Sequence, residues 1–380
     1  MDVTRTAFGA WNGGRFMNFG QPLSDERWIA LARRAFDQGV RTFVTADVYG
    51  SGAADELLAM SLAGLPRNDY CLVGAVGHDF YKGQRQGPRG FPRFTDPALR
   101  QPRDYADYLR MATEKSLARC RAAKFDLLLL HNPDFTGYSS DRVWSGMDSL
   151  IDAKLTDRIG VAPGPANGFT LDLILCLERF GPLLDWGMII LNPLEPWPGQ
   201  LVLPAAVKQD IKLITRVVDY GGLFHGDVKT GHKFGPHDHR TFRPAGWVEA
   251  GNASLDQMRA IAEKHNLTLL QLACAWNLSQ PPVKSVVPTL IQEDGGEKSI
   301  ESKLDELSSL PDVSLTEEDL QTIGRVGDNR GCMALKGANR SHTTAPEADR
   351  WAISQDLEAV GKRWGIDPDH DLAFTHAGQP

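Results

Sequence analysis

Two rhythms of apolar and polar positions take turns along this chain. Short apolar, β-branched-rich runs recur at residues 6–11, 40–47, 70–76, 125–130, 158–161, 187–191, 212–217 and 284–287, and each reads as a buried strand. Between them apolar residues fall three and four apart. Ile29, Ala32, Ala35 and Phe36 do so between a Ser24 cap and Gly39. The same spacing predicts helices near 53–65, 105–124, 141–153, 170–180, 203–209, 254–265, 268–279, 304–310 and 316–326. Eight strands alternating with helices predict an α/β fold, a (β/α)8 TIM barrel over residues 1–327.

The rhythm breaks in three places. Residues 78–102 are rich in Gly, Pro, Arg and Phe without periodicity, and a loop of that length is expected to act as a lid over the barrel mouth, the other reading being a plain insertion. Residues 218–250 form a second long loop, carrying His225, His232, His237 and His239. Residues 328–380 are a C-terminal extension with one expected helix, capped by Ser354, striped by Leu357, Val360 and Trp364, and ended by Gly365. This extension is expected to fold over the barrel mouth or to serve as an oligomer contact.

Composition narrows the partners. A net charge of -7 gives no basic footprint, which argues against nucleic acid. No apolar run approaches the roughly 20 residues that span a bilayer, and the first residues lack the apolar core of a signal peptide. The five cysteines, at 71, 120, 176, 274 and 332, stand far apart and fit reduced, cytoplasmic thiols, with Cys332 expected to be buried. Asp47, His78, His131 and Glu195 sit near strand ends, but no local ligand spacing supports a metal, and none is expected. The run 236–240 reads as an ordinary loop rather than a metal motif. A small-molecule substrate remains as the partner class.

Chemistry concentrates at the ends of two strands. The run 42–50 carries Asp47 and Tyr49, and in extended backbone residues two apart point the same way, so the pair is expected side by side. The run 125–130 leads into His131. A Tyr and a His at strand ends suit proton transfer to a carbonyl or alcohol oxygen.

These two stretches, with Gly39 before the first, resemble the aldo-keto reductases. The resemblance covers about residues 6–327, and Ile159-Gly160-Val161, Asn192-Pro193-Leu194 and Val286-Val287-Pro288 add to it. It implies that a Tyr protonates the substrate oxygen while a nicotinamide delivers hydride, assisted by a His, an Asp and a Lys. Tyr49, His131 and Asp47 match three of the four. The Lys is expected to end the third strand, where Val76 stands. A protonated His78, or less directly Lys82, is one substitute for it; the other reading of His78 is a plain loop residue.

The resemblance also implies NADP or NAD as cofactor. Trp11 would lie beneath the nicotinamide, Arg216 and Gly222 would line the pyrophosphate, and Lys298 is the one charge left at the adenosine 2′-phosphate position. The polar side chains that hold the carboxamide are replaced by Ala162, Pro163 and Met188. The function expected is that of a divergent oxidoreductase on a small polar carbonyl or sugar. A redox-neutral lyase, dehydratase or isomerase using Asp47, Tyr49 and His131 is the alternative. A noncatalytic binding barrel, of the kind associated with ion channels, is a further one.

Overall fold

Eight short strands form the centre: β1 (Ala7–Gly9), β2 (Thr42–Val44), β3 (Cys71–Val76), β4 (Leu127–His131), β5 (Ile159–Ala162), β6 (Trp186–Ile190), β7 (Lys212–Arg216) and β8 (Val283–Val287). They pair in parallel in sequence order, and a bridge between Thr6 and Val286 closes β8 back onto β1. The result is the expected (β/α)8 barrel. In the computed structural model the described residues are 1–87, 90–164 and 166–373.

Side-chain alternation splits the core in two. Ala7, Val44, Ala46, Cys71, Val73, Ala75, Leu127, Leu129, Ala162, Trp186, Met188, Ile214 and Val287 fill the barrel interior. Their strand neighbours, among them Phe43, Leu72, Val76, Leu128, Leu130 and Val161, face the surrounding helices. The helices form where the periodicity places them. Ser24 Oγ accepts the Arg27 amide at 3.3 Å to start helix Asp25–Asp37, whose buried stripe is Trp28, Leu31, Ala32 and Ala35. Among the described residues no helix is long and apolar enough to cross a membrane. Cysteines 71, 120, 176 and 274 are buried, whereas Cys332, expected inside, is exposed in the extension.

The extension is seated on the carboxyl side of the barrel. Strands β9 (Gly337–Asn339) and β10 (Arg350–Ala352) pair in parallel, and helix Gln355–Trp364 has the expected Ser354 cap and a left-handed Gly365 at φ 65°. Trp351, 1% exposed, anchors the seat. Its Nε1 donates to Asp172 Oδ1 at 2.8 Å, and its ring lies against Phe135, Tyr138 and Phe169. Asp172 Oδ2 accepts the Ala338 amide at 3.1 Å. Gly168 lets Lys336 pass: at φ 128° it avoids a strain other residues would carry, and a Cβ there would meet the Lys336 carbonyl.

The two long loops are also tied down. In loop 78–102, Phe94 stacks on Tyr108 with ring centroids 5.2 Å apart, and Arg100 pairs with Asp79. Arg93 donates from Nε to the Asn132 carbonyl and from Nη2 to Asp349 Oδ1, the latter at 2.6 Å. One buried guanidinium thus joins the loop, the end of β4 and the extension. In loop 218–250, Arg240 is gripped by Asp238 and Glu293, and Asp238 Oδ2 accepts the Gly20 amide at 2.9 Å. Asp238 therefore serves its own arginine, as the plain-loop reading of 236–240 expects.

Replacing Trp351 by Ala should cost the extension about 3–5 kcal/mol of seating energy. Trypsin should then cut at Lys336, Arg340 or Arg350 faster than in the wild type under native conditions. Equal cutting rates would show that the seat does not depend on this indole.

Candidate active site

Strand β2 decides which side chains enter the site. Beyond Val44 the backbone still follows β3, with the Thr45 amide bonded to Val73 O at 2.9 Å and the Asp47 amide to Ala75 O at 3.1 Å. Alternation therefore continues: Val44 and Ala46 point into the barrel, and Thr45 and Asp47 point away from it. Thr45 Oγ1 accordingly donates to Asp55 Oδ1 of helix Ala53–Ser61 at 2.8 Å. The chain then turns, with the Tyr49 amide on Ala46 O at 3.0 Å, and this turn swings Tyr49 back toward the mouth. Asp47 and Tyr49 are thus not side by side as the two-residue spacing suggested, because the backbone between them is no longer extended.

Asp47 ends up fully buried, with neither carboxylate oxygen hydrogen-bonded. Burial lifts its pKa well above the ordinary carboxylate value, and the nearby Asp55 adds to the rise. Arg119, the Val48 amide and the Tyr81 phenol oppose the rise, Arg119 while giving its Nε to Asp55 at 3.1 Å and its Nη2 to Tyr81 at 3.2 Å. The expected lysine position also needs correction. Val76 faces the helix layer, and the residue that β3 turns into the barrel near its end is Ala75. Beneath Tyr49, where the resemblance calls for a carboxylate and an ammonium, the interior presents Val44 and Ala75.

Tyr49 stands over this apolar floor. Its ring meets Trp11 edge-on, with centroids 6.2 Å apart, and His131 edge-on at 5.6 Å. Burial pushes its pKa up to about 12, and the group that pulls the other way is Arg216. His131 closes β4 with its Nδ1 buried and unpartnered. Burial, followed by His78, Arg216 and Arg93, holds its pKa well below the ordinary value, so the imidazole is neutral.

His78 lies 5.4 Å from the His131 ring, but it does not replace the missing ammonium. Its Nδ1 is 2.9 Å from the Phe91 carbonyl and 3.3 Å from Arg93 Nη1, and its Nε2 is 3.0 Å from Asn132 Nδ2, so both ring nitrogens are engaged within the protein. Burial and the neighbouring Arg93 push its pKa down to about 3.

The cation of the mouth comes from the opposite wall. Arg216 ends β7, and its Nη2 donates to the carbonyls of Pro163, at 3.1 Å, and Gly164, just past β5. The side chain thus crosses the end of β6, over the region where the resemblance puts the carboxamide. Gly222, expected beside Arg216 along a pyrophosphate, has its amide taken up within its own loop. Its amide is bonded to Asp219 O and Oδ2, and its neighbours are Arg240 and Glu293.

Lys298 lines a separate cavity of about 510 Å³ with Phe224, His225, Asp227, Glu263 and Thr268. Every cation around that cavity is held by a carboxylate: Lys298 by Glu306, Lys229 by Glu297 and Arg259 by Asp256. Behind it, buried Lys303 pairs with Asp227. Among the described residues no three His, Cys, Asp or Glu side chains converge as a metal site.

The model of the Aldo/keto reductase family matches residues 7–323. A probable voltage-gated potassium channel subunit beta from Arabidopsis thaliana is 23% identical over 316 residues, covering 77% of this chain and 85% of that protein. D-threo-aldose 1-dehydrogenase from a Pseudomonas species is 29% identical over 299 residues, covering 75% and 84%. Among solved structures, a glycerol dehydrogenase from Gluconobacter oxydans superposes with a TM-score of 0.68 at 22% identity, covering 86% of this chain and 92% of that one.

The buried Asp47 makes a pH prediction. Its folded pKa lies above the unfolded one, so its contribution is most favourable below about pH 4 and is lost as pH rises toward the folded value. Asp47→Asn removes this proton linkage. The drop in melting temperature between pH 4 and pH 8 should be smaller in the variant than in the wild type. An identical drop in both proteins would mean that Asp47 finds a partner in solution.

Proposed function

The chain belongs to the aldo/keto reductase family, whose members are NAD(P)-dependent oxidoreductases, and from that premise we propose a reaction and a cofactor form. The substrate is a small polar carbonyl compound or sugar, Tyr49 is the proton donor to its oxygen, and the cofactor is the nicotinamide dinucleotide without a 2′-phosphate. The observation that carries this reading is the grouping of Tyr49, His131 and Trp11 at one mouth of the barrel. D-threo-aldose and glycerol dehydrogenases among the similar proteins fit a polyhydroxylated substrate.

When bound, the nicotinamide supplies or accepts the hydride. The rest falls to the chain's own residues. With a pKa pushed up to about 12, Tyr49 keeps its proton through the neutral range and donates it as a neutral acid. The phenolate that forms has no ammonium beneath it and is stabilised by Arg216 alone, which predicts slower proton return than a full tetrad allows. Neutral His131 orients the substrate oxygen through a single hydrogen bond and contributes no charge. Trp11, 7% exposed, walls the site beside the Tyr49 ring. Loop 78–102 and residues 328–373, joined through Arg93 and Asp349, limit water access at the rim.

The cofactor form follows from the cavity lined by Lys298. Its volume suits an adenosine, and Glu263 suits ribose hydroxyls. A 2′-phosphate would meet carboxylates and cations already paired with them, at a cost in desolvation and repulsion. The redox-neutral alternative loses one of its two proposed bases, Asp47, which faces the helix layer, and is left with His131.

NADH should quench tryptophan fluorescence saturably, NADPH should do so with weaker affinity, and Trp11→Phe should remove most of the change. Absence of saturable quenching by either nucleotide up to millimolar concentration would overturn the oxidoreductase reading. Tighter binding of NADPH would overturn the choice of cofactor form.

A further inference from the structure

The mouth of the barrel holds a guanidinium that the protein itself does not neutralise. Among the described residues, the only hydrogen bonds from Arg216 run from Nη2 to the Pro163 and Gly164 carbonyls, which leaves Nε and Nη1 without a protein partner. The residue is half-buried. The carboxylates around it are engaged elsewhere. Glu195 accepts from Asn167, from Asn192 at 3.3 Å and from Arg243 at 3.2 Å. Asp349 is shared by Arg93 and Lys336, at 2.6 and 2.9 Å. Asp47 points away to the helix side of β2.

Even a half-buried charge without a counter-ion carries a desolvation cost, and a ligand that brings the opposite charge relieves it. Three free N–H groups in a planar fork match a carboxylate better than a hydroxyl. We propose that the substrate carries a carboxylate, which Arg216 binds from the β7 wall while its carbonyl faces Tyr49 and His131. The substrate class is thus an oxo acid or sugar acid rather than a neutral sugar. This deepens the oxidoreductase reading and rests on it for the position of the carbonyl, but the anion site stands on Arg216 alone.

A cofactor phosphate is the rival occupant. Its place is disfavoured by the bonds on the page: the Arg216 side chain reaches the Gly164 carbonyl past β5, and the Gly222 amide is already bonded to Asp219.

The test pairs glyoxylate with glyceraldehyde, and D-glucuronate with D-glucose, as substrates for reduction. It also measures binding of unreactive oxalate by calorimetry, with and without NADH. The wild type should favour a carboxylated member of a pair in kcat/KM. Arg216→Gln should cut that value by roughly 10- to 100-fold through KM, the range of a lost charge-assisted pair. The ratio of kcat/KM between the carboxylated and the neutral member should fall by that factor, because lost stabilisation of the Tyr49 phenolate slows both members alike, and Arg216→Lys should recover part of the ratio while NADH affinity is kept. Oxalate should bind the wild type and not Arg216→Gln, even if no carbonyl compound is turned over, in which case the anion site survives and the oxidoreductase reading fails. The proposal is overturned if neutral members are preferred, if oxalate binds both proteins equally or neither, or if Arg216→Gln weakens NADH instead.

Discussion

Everything at this site depends on where β2 stops alternating. As long as its amides follow β3, the two-residue period sends Val44 and Ala46 inward and Asp47 outward. One tight turn later Tyr49 is delivered to the mouth. An apolar floor therefore lies beneath the Tyr49 phenol. The acid that the sequence puts next to it is shut away on the other side of the barrel wall. The raised pKa of Tyr49, the strained protonation of Asp47 and the reliance on a distant arginine all descend from that single register.

The periodicity made the barrel legible because each strand is short, apolar and separated by helical spacing, and helix Gln355–Trp364 was readable residue by residue from Ser354 to Gly365. The site was only half legible. That Tyr49 and His131 would meet at one mouth could be expected because each follows a strand-like run. Asp47 and Val76 were misread for one reason: sequence gives the order of residues along a strand but not the face each presents, and an error of one position exchanges barrel interior for helix layer. Ala75 and Val44 carried no signal, being ordinary small and β-branched residues in strands. The place of Arg216 depended on a side chain reaching across β6, which no local pattern encodes. The seat of Trp351 on Asp172 joins residues far apart in sequence and is of the same kind.

The charges of the mouth form a consistent set once these positions are known. His78 and His131 are both held neutral by burial and by neighbouring guanidinium groups. Arg93 is committed to the structure, tying loop 78–102 to the extension through Asp349. Arg216 is left as the uncommitted positive charge. The pair of opposite charges implied by the family resemblance has been exchanged for apolar packing below and one cation at the side. Such an exchange lowers the desolvation cost of the interior and leaves Tyr49 a weaker acid than an ammonium neighbour would make it.

The central claim is that Tyr49 donates the proton despite that setting. The most direct measurement is turnover of Tyr49→Phe with NADH and the carbonyl substrate, alongside its thermal melt. General acid catalysis is worth about 100- to 10,000-fold, so kcat should fall by that factor while the melting temperature holds, because the ring is kept and only an oxygen is lost. Near-wild-type turnover with an unchanged melt would contradict the account and remove Tyr49 from the mechanism.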